Sequence, residues 1–585
     1  TIITSSGQQK ISSGGIVVGA EIDNGGTQVV NSSGLSSDTT INSGGTQVIS
    51  NGGTTSDTTV GSSGQQQISS GGSVVGTDIN NGGTQVVNSS GLASSTTINS
   101  GGTQVISNGG TTSDTTIGSS GQQQISSGGS VIGAEISSGG TQVVNSSGLS
   151  SNTVISSGGT QSIDNGGTAS DTTIAGGGTQ NISNGGSSID THIGNGGTQT
   201  IGSGARASNT DVEMGGTQII NSSGFTIDTT VNSGGTQLVN SSGLASNTIV
   251  SSGGIQLVSG GTTSDTIVGT SGKQVISSGG TAIDAEVSSG GVQLVNSSAL
   301  ATGVTISSGG IQMLSGGTAT DTIIADSGKQ VVSSGGTSIL AEIDSGGVQL
   351  VNSSGWALDT TVNNGGQQVV SSGGNAIMTE ISSGGLQVVN SSGLATGTTV
   401  NSAGTQLVST GGTAIDTIID SSGKQLVSSG GVAIGTEVSA DGVQLINSNA
   451  MASDTRINSG GSQVLYGGTA TDTIIDNSGQ QILSSGGTAI DTTISSGGVQ
   501  LVYSNALVSN ATVSSGGSQV LSGGTATDTI IDNSGQQILS SGGTAIDTTI
   551  SSGGVQLVYS NALVSNATVS SGGSQVLSGG TAIDT

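Results

Sequence analysis

His192 is the only histidine among 585 residues. Asp190 stands two positions before it and serines are abundant, so the residue types of a Ser-His-Asp acyl-transfer triad are present. In a chain this rich in serine, that neighbourhood arises from composition alone. Carboxylates offer a second chemistry. Asp38, Asp57, Asp114 and Asp171 recur at multiples of 19 residues, and paired carboxylates flanking a groove hydrolyse glycosidic bonds. Gly76, Ser95 and Asn152 fill the same register, however. What unites that set is tolerance of tight-turn backbone, not proton transfer. Thr40, Thr59 and Thr97 suggest a regular threonine face of the ice-binding kind, but Glu21, Asp78 and Glu135 interrupt it. The G-G-x-G-x-D-x-U-x nonapeptide of calcium-binding repeats is missing. Neither a metal nor a cofactor is expected.

Charge excludes another class. Six Lys and Arg against 34 Asp and Glu give a net charge of −28, the wrong sign for neutralising phosphates, so no nucleic acid is expected as a partner. An anionic membrane surface is disfavoured for the same reason. The 110 glycines and the polar bulk would suit disorder. Val and Ile at fixed spacing, with Pro absent and Lys and Glu scarce, argue for order instead. Cysteine is absent, which suits an exported chain that needs no disulfides. Thr1 opens no leader-like segment and no long apolar run follows. The chain is expected to be a stretch of something longer.

The elements that hold these residues are short and repeat. Counted from Ser6, units recur every 19 residues, with 18-residue units at Gly253, Gly309, Gly460 and Gly516, giving 30 complete units and a partial one. Residues 460–515 and 516–571 differ only at Tyr466 versus Ser522, the mark of a tandem duplication. Within the unit Gly25–Ser43, Thr27–Val30 reads as a strand and Asn31–Gly34 as a turn. Leu35–Ser37 is a second strand, Asp38 a bend, Thr39–Ile41 a third strand, and Asn42–Ser43 leads to the next Gly-Gly. Three strands and three turns per unit predict one coil of a parallel β-solenoid. Residues 1–585 are expected to form one continuous array of 31 rungs, about 150 Å long at ~4.8 Å per rung.

Alternation assigns the faces. Position six (Val30, Ile49, Ile68) and position seventeen (Ile41, Val60, Ile79) are apolar and predicted to face inward. Position five accepts Lys10, Gln67 and Asn181, so it faces solvent. Positions eleven and thirteen exchange volume: Leu35 goes with Ser37, Ser73 with Val75. One large residue per pair is what a rung of fixed cross-section permits, so both are expected in the core, with Phe225 and Trp356 at position eleven filling it. Tyr466, Tyr503 and Tyr559 fall beside a turn and are expected to be exposed. Position four is glutamine in all 31 units: Gln9, Gln28, Gln47, Gln66, Gln85, Gln104 and onward to Gln575. A residue so fixed predicts a stacked amide ladder.

The phrase NSGGTQLVNSSGLASNTIVSSGG, from Asn232 to Gly254, resembles the repeats of AIDA-type, TibA-like self-associating autotransporter adhesins. The resemblance spans essentially the whole chain. It implies an all-β, right-handed parallel β-helix exposed on the bacterial cell surface, exported through the periplasm and anchored by an outer-membrane barrel that this stretch lacks. It implies adhesion, autoaggregation, biofilm formation and virulence. The partners it implies are other copies on neighbouring cells and the host-cell surface. It also implies O-linked heptose, added to loop serines by a heptosyltransferase. The loop before Gly-Gly fits best, giving Ser43, Ser100, Ser138, Ser157, Ser233, Ser252, Ser289 and Ser308 as acceptors. The loop holding Ser32 and Ser33 is the second possibility, and serines that merely suit a tight turn are the alternative.

An interaction protein whose repeated face multiplies weak contacts is therefore the expected function, with no enzymatic activity. A polysaccharide-degrading β-helix and a passive stalk are the alternatives. The first would need a localised break in the repeat with clustered acid, base and aromatic residues, and the sequence offers none.

Overall fold

The computed structural model describes residues 1–61, 63–99, 101–118, 120–156 and 158–585. Two compact units emerge. One comprises Thr1–Glu286 with Gly290–Gln293, the other Val287–Ser289 with Leu294–Thr585. Among the described residues every regular element is a strand, and the strands pair in parallel with their counterparts in adjoining coils.

In the first unit one rung contains Thr27–Val30, Leu35–Ser37 and Thr40–Ile41. Each strand pairs in register with its counterpart one unit away, as in Gln9↔Gln28↔Gln47, Leu35↔Thr54 and Ile41↔Val60. Elsewhere the second and third strands fuse into seven residues, as in Thr54–Val60. The second unit repeats the plan with Leu386–Val389, Leu394–Thr396 and Thr399–Val400. The solenoid follows because a short strand buries one face only when a neighbouring coil covers its ladder edges.

Sharp turns separate the strands. Ser32 and Ser33 have φ of 45° and 63°, and Gly34 N–H donates to Asn31 O at 2.8 Å. At the other turn Ser43 and Gly44 have φ of 50° and 78°, and Gly45 N–H donates to Asn42 O at 2.8 Å. Two successive left-handed residues closed by such a bond have the φ signs of a type I′ turn. Asp38 bends the chain alone at φ 51°. The 18-residue units drop one residue from the first turn. There an antiparallel bridge, such as Asn447↔Gly467, closes the corner, and the Gln463↔Gln481 register continues unbroken.

Inside each unit run apolar columns and one polar column. Position seventeen stacks Ile22, Ile41, Val60 and Ile79 in the first unit, and Ile419, Val438, Ile457 and Ile475 in the second. Position six stacks Val389, Val408 and Val427 with Ala395 and Ala414. Glutamine fills the polar column. Gln28 Nε2 donates to Gln9 Oε1 at 2.8 Å, and Gln47 Nε2 to Gln28 Oε1 at 2.8 Å. The same bond measures 2.6 Å at Gln104 and 2.7 Å at Gln406.

Positions eleven and thirteen correct the sequence reading. Leu35 is 42% exposed and Val75 46%, whereas Ser36 and Val74 between their strand neighbours are buried. Whether the strand is three residues long or fused into seven, alternation sends position twelve inward and positions eleven and thirteen outward. The narrow interior takes Ala, Ser, Thr or Val at position twelve. The size exchange therefore happens on the outer face. Trp356 is accordingly 42% exposed, and Phe225 is half-buried with the Arg206 guanidinium 4.8 Å from its ring centroid. Tyr466, Tyr503 and Tyr559 are exposed, as expected.

Candidate functional site

The exposed turns carry the candidate serines. At Asn42–Gly45 the backbone is pinned at both ends, by Asn42 N–H to Ile22 O at 2.9 Å and by the turn bond of Gly45. Ser43 stands exposed between them with left-handed backbone. Ser138, Ser233, Ser252, Ser289 and Ser308 repeat the arrangement, with φ between 47° and 52° and exposed side chains. Ser100 and Ser157 lie outside the described residues. Ser32 and Ser33 share the exposure and the φ sign in the other turn. The backbone amide of Ser252 donates to Thr270 O at 2.7 Å, so stacking orders the turns as well as the strands.

What these hydroxyls can do follows from their surroundings. Among the described residues no carboxylate or imidazole hydrogen-bonds to any of the six. A serine without a base is a weak nucleophile. It is an accessible acceptor for a group delivered by an enzyme that brings its own base.

The other candidates separate in space. His192 is exposed and registers with Thr173 and Asp211 in the flanking rungs. Asp190 accepts from Asn209 Nδ2 and makes no hydrogen bond to the His192 ring. Asp57, Asp114 and Asp171 occupy single left-handed bends with φ of 53°. Among the described residues no group of three His, Asp or Glu could hold a metal, and no helix is long and apolar enough to cross a membrane. The concavities are shallow grooves on the outer face, such as that lined by Ile16, Leu35, Thr54 and Ser56.

Sequence reasoning missed the buried hydroxyls that brace the amide column. Ser36 Oγ donates to Gln28 Oε1 at 3.2 Å, and Thr379 Oγ1 to Gln368 Oε1 at 3.1 Å. The available signal was threonine at most positions fifteen, with Ala or Val at the rest, on the same side as the apolar position seventeen.

The family model for AIDA, an adhesin of the bacterial autotransporter system and probable stalk, matches residues 201–254, 353–404, 393–442, 465–517 and 520–573. Each matched stretch covers nearly three rungs. Among solved structures, the crystal structure of a TibC-catalysed hyper-glycosylated TibA fragment is 32% identical in sequence. The match covers 58% of this chain and 99% of that one, with a TM-score of 0.33. No curated protein matches the chain.

Proposed function

This chain belongs to the AIDA family of bacterial autotransporter adhesins, and on that premise we propose that residues 1–585 are one continuous repeat array in the stalk of a surface-exposed passenger, O-glycosylated with heptose on its turn serines. The observation carrying this reading is the recurrence of an exposed, left-handed serine with no internal base at the same corner of rung after rung, as at Ser43, Ser138, Ser233 and Ser252. The hyper-glycosylated state of the TibA fragment supports it. A heptosyltransferase acting before export is the partner in biogenesis, and the passenger is held at the outer membrane by a translocator. Adhesion to host cells, autoaggregation and biofilm formation follow from many weak contacts along a repeated face. Catalysis by the chain itself has no part in this reading.

Intact-mass analysis of the segment from its native host tests the modification. A ladder of added heptose masses is expected, and it should vanish when the glycosyltransferase gene is removed. Substituting Ser233 and Ser252 by alanine should shorten the ladder. A single unmodified mass from the unaltered host would overturn the glycosylation and leave the stalk assignment standing.

Self-association has its own test. With a net charge of −28, unmodified copies repel at low ionic strength. Clumping of cells displaying the unglycosylated chain should strengthen as salt rises from low to physiological. Unchanged or weaker clumping would count against side-by-side packing of bare copies.

A further inference from the structure

Position fourteen carries Asp, Asn, Ser or Gly in every unit but two. Those residue types tolerate the left-handed backbone that the bend requires, whereas bulky side chains rarely adopt it. The exceptions are Leu340 and Met378, with φ of 54° and 56°. They stand one rung to either side of Asp359, on the rung that carries the chain's only tryptophan, Trp356. All three large side chains face solvent: Leu340 is 55% exposed, Trp356 42% and Met378 64%. Between them runs the half-buried ladder Ile339↔Leu358↔Ile377. Strained backbone that holds apolar side chains in water makes no contribution to this fold that Asp would not make better. Such outliers mark functional positions.

Charge identifies the occupant. Glu342 and Glu380 register on either side of Thr361 in the adjoining strand, both exposed, and Asp359 projects between Leu340 and Met378. No Lys, Arg or His occurs between Lys329 and Lys424. The patch is an apolar centre with a tryptophan anchor and a rim of carboxylates that has no cation of its own, the pattern of a binding hot spot with an acidic rim. A second copy docking face to face would set these carboxylates against themselves. From this we infer that Leu340, Trp356 and Met378 form a docking site for a cationic, amphipathic segment of another protein. The site needs neither glycosylation nor self-association.

Trp356 supplies the readout, because it is the only tryptophan. The full chain is titrated with an amphipathic Lys/Leu peptide and with its Glu/Leu counterpart, while tryptophan emission and the anisotropy of labelled peptide are followed. The Lys/Leu peptide is expected to shift Trp356 emission to the blue saturably, and less so at high salt. The Glu/Leu peptide should leave emission unchanged. The variant carrying Leu340→Asp and Met378→Asp restores the usual residue at both bends, so it should fold at least as well. It adds two negative charges while removing the apolar contacts. Binding at the proposed site should weaken ~tenfold in it, whereas binding by diffuse charge alone would strengthen. Unchanged or tighter binding by that variant overturns the proposal. So does a blue shift caused by concentrating the chain alone, which would make a second copy the occupant. A shift produced by phosphatidylcholine vesicles without peptide would overturn it in favour of a lipid surface.

Discussion

Gly385→Ala is expected to destabilise the second unit locally by roughly 3–5 kcal/mol, whereas Gly384→Asn, one residue earlier, should change stability by less than about 1 kcal/mol. The two glycines serve different purposes. Gly384 has φ +80° and a Cβ there would meet nothing within 4 Å. Asn tolerates such backbone, and the same position elsewhere holds Ser6, Ser63 and Asp441. At Gly385 a Cβ would lie 2.2 Å from Val362 O and 2.6 Å from its carbonyl carbon. That carbonyl belongs to the neighbouring rung. Moving Gly385 away strains Leu386 N–H to Gly366 O and Thr405 N–H to Gly385 O, both at 3.0 Å. Each rung depends chiefly on its neighbours, so the damage should appear as a local opening. Hydrogen exchange and limited proteolysis around residues 365–405 measure it. Equal protection in the two variants would refute the account.

Close approach alone does not make glycine obligatory, and the chain supplies its own control. At position ten a Cβ on Gly393 would also lie 2.2 Å from a carbonyl, that of Val370. Yet Ala205, Ala299, Ala450, Ala506 and Ala562 occupy that position. Four of the five immediately precede an 18-residue unit or the shortened final one. There the next turn has lost a residue and the corner is rebuilt around the Tyr503↔Gly523 type of bridge. Position two admits no such exception in any of the 31 units.

Legibility in the sequence followed the strength of each physical constraint. Positions six and seventeen could be read because a buried column accepts only apolar residues at each rung, as Val30, Ile49 and Ile41 show. The glutamine column could be read because no other side chain repeats the same donor and acceptor at that reach. Position twelve was hidden: Ser36, Thr55, Val74 and Ala93 are all buried there, but small residues of mixed polarity look like surface. Leu35 and Trp356 pulled the reading the other way. A face made of many rungs can display large apolar side chains without losing its fold, since stability comes from the ladders and inner columns. The left-handed serines were equally obscured. Ser32 and Ser33 suggest a turn, and only the Asn and Gly found at equivalent positions, as in Asn51-Gly52, point to its handedness.

Gln406→Glu should convert the amide column into a pH-dependent weak point. Gln406 is fully buried; its Nε2 donates to Gln387 Oε1 at 2.7 Å, while its Oε1 accepts from Gln425 Nε2 at 2.7 Å and Thr417 Oγ1 at 3.2 Å. A protonated glutamic acid can copy this pattern, donating its O–H to Gln387. An ionised carboxylate cannot, because it presents a bare oxygen to another acceptor and carries a buried charge. Its folded pKa is therefore raised above the unfolded value near 4.3. For a raised pKa the stability is fully present below the unfolded value and is lost as pH rises toward the folded one, at about 1.4 kcal/mol per pH unit. Relative to wild type, the variant should be nearly neutral at about pH 4 and weaker by roughly 3–4 kcal/mol at about pH 7. Gln406→Leu provides the contrast. It orphans Gln425 Nε2 and Thr417 Oγ1 at every pH and leaves Gln387 Oε1 with the Thr398 hydroxyl alone, with a cost of roughly 2–4 kcal/mol that does not titrate. Urea unfolding at the two pH values, with the wild-type profile subtracted, separates the two patterns. A Gln406→Glu variant that tracks wild type at both would mean that water reaches the column. The invariance of position four would then need a cause other than a dry ladder, in which every amide must give a proton to one neighbour and take one from the other.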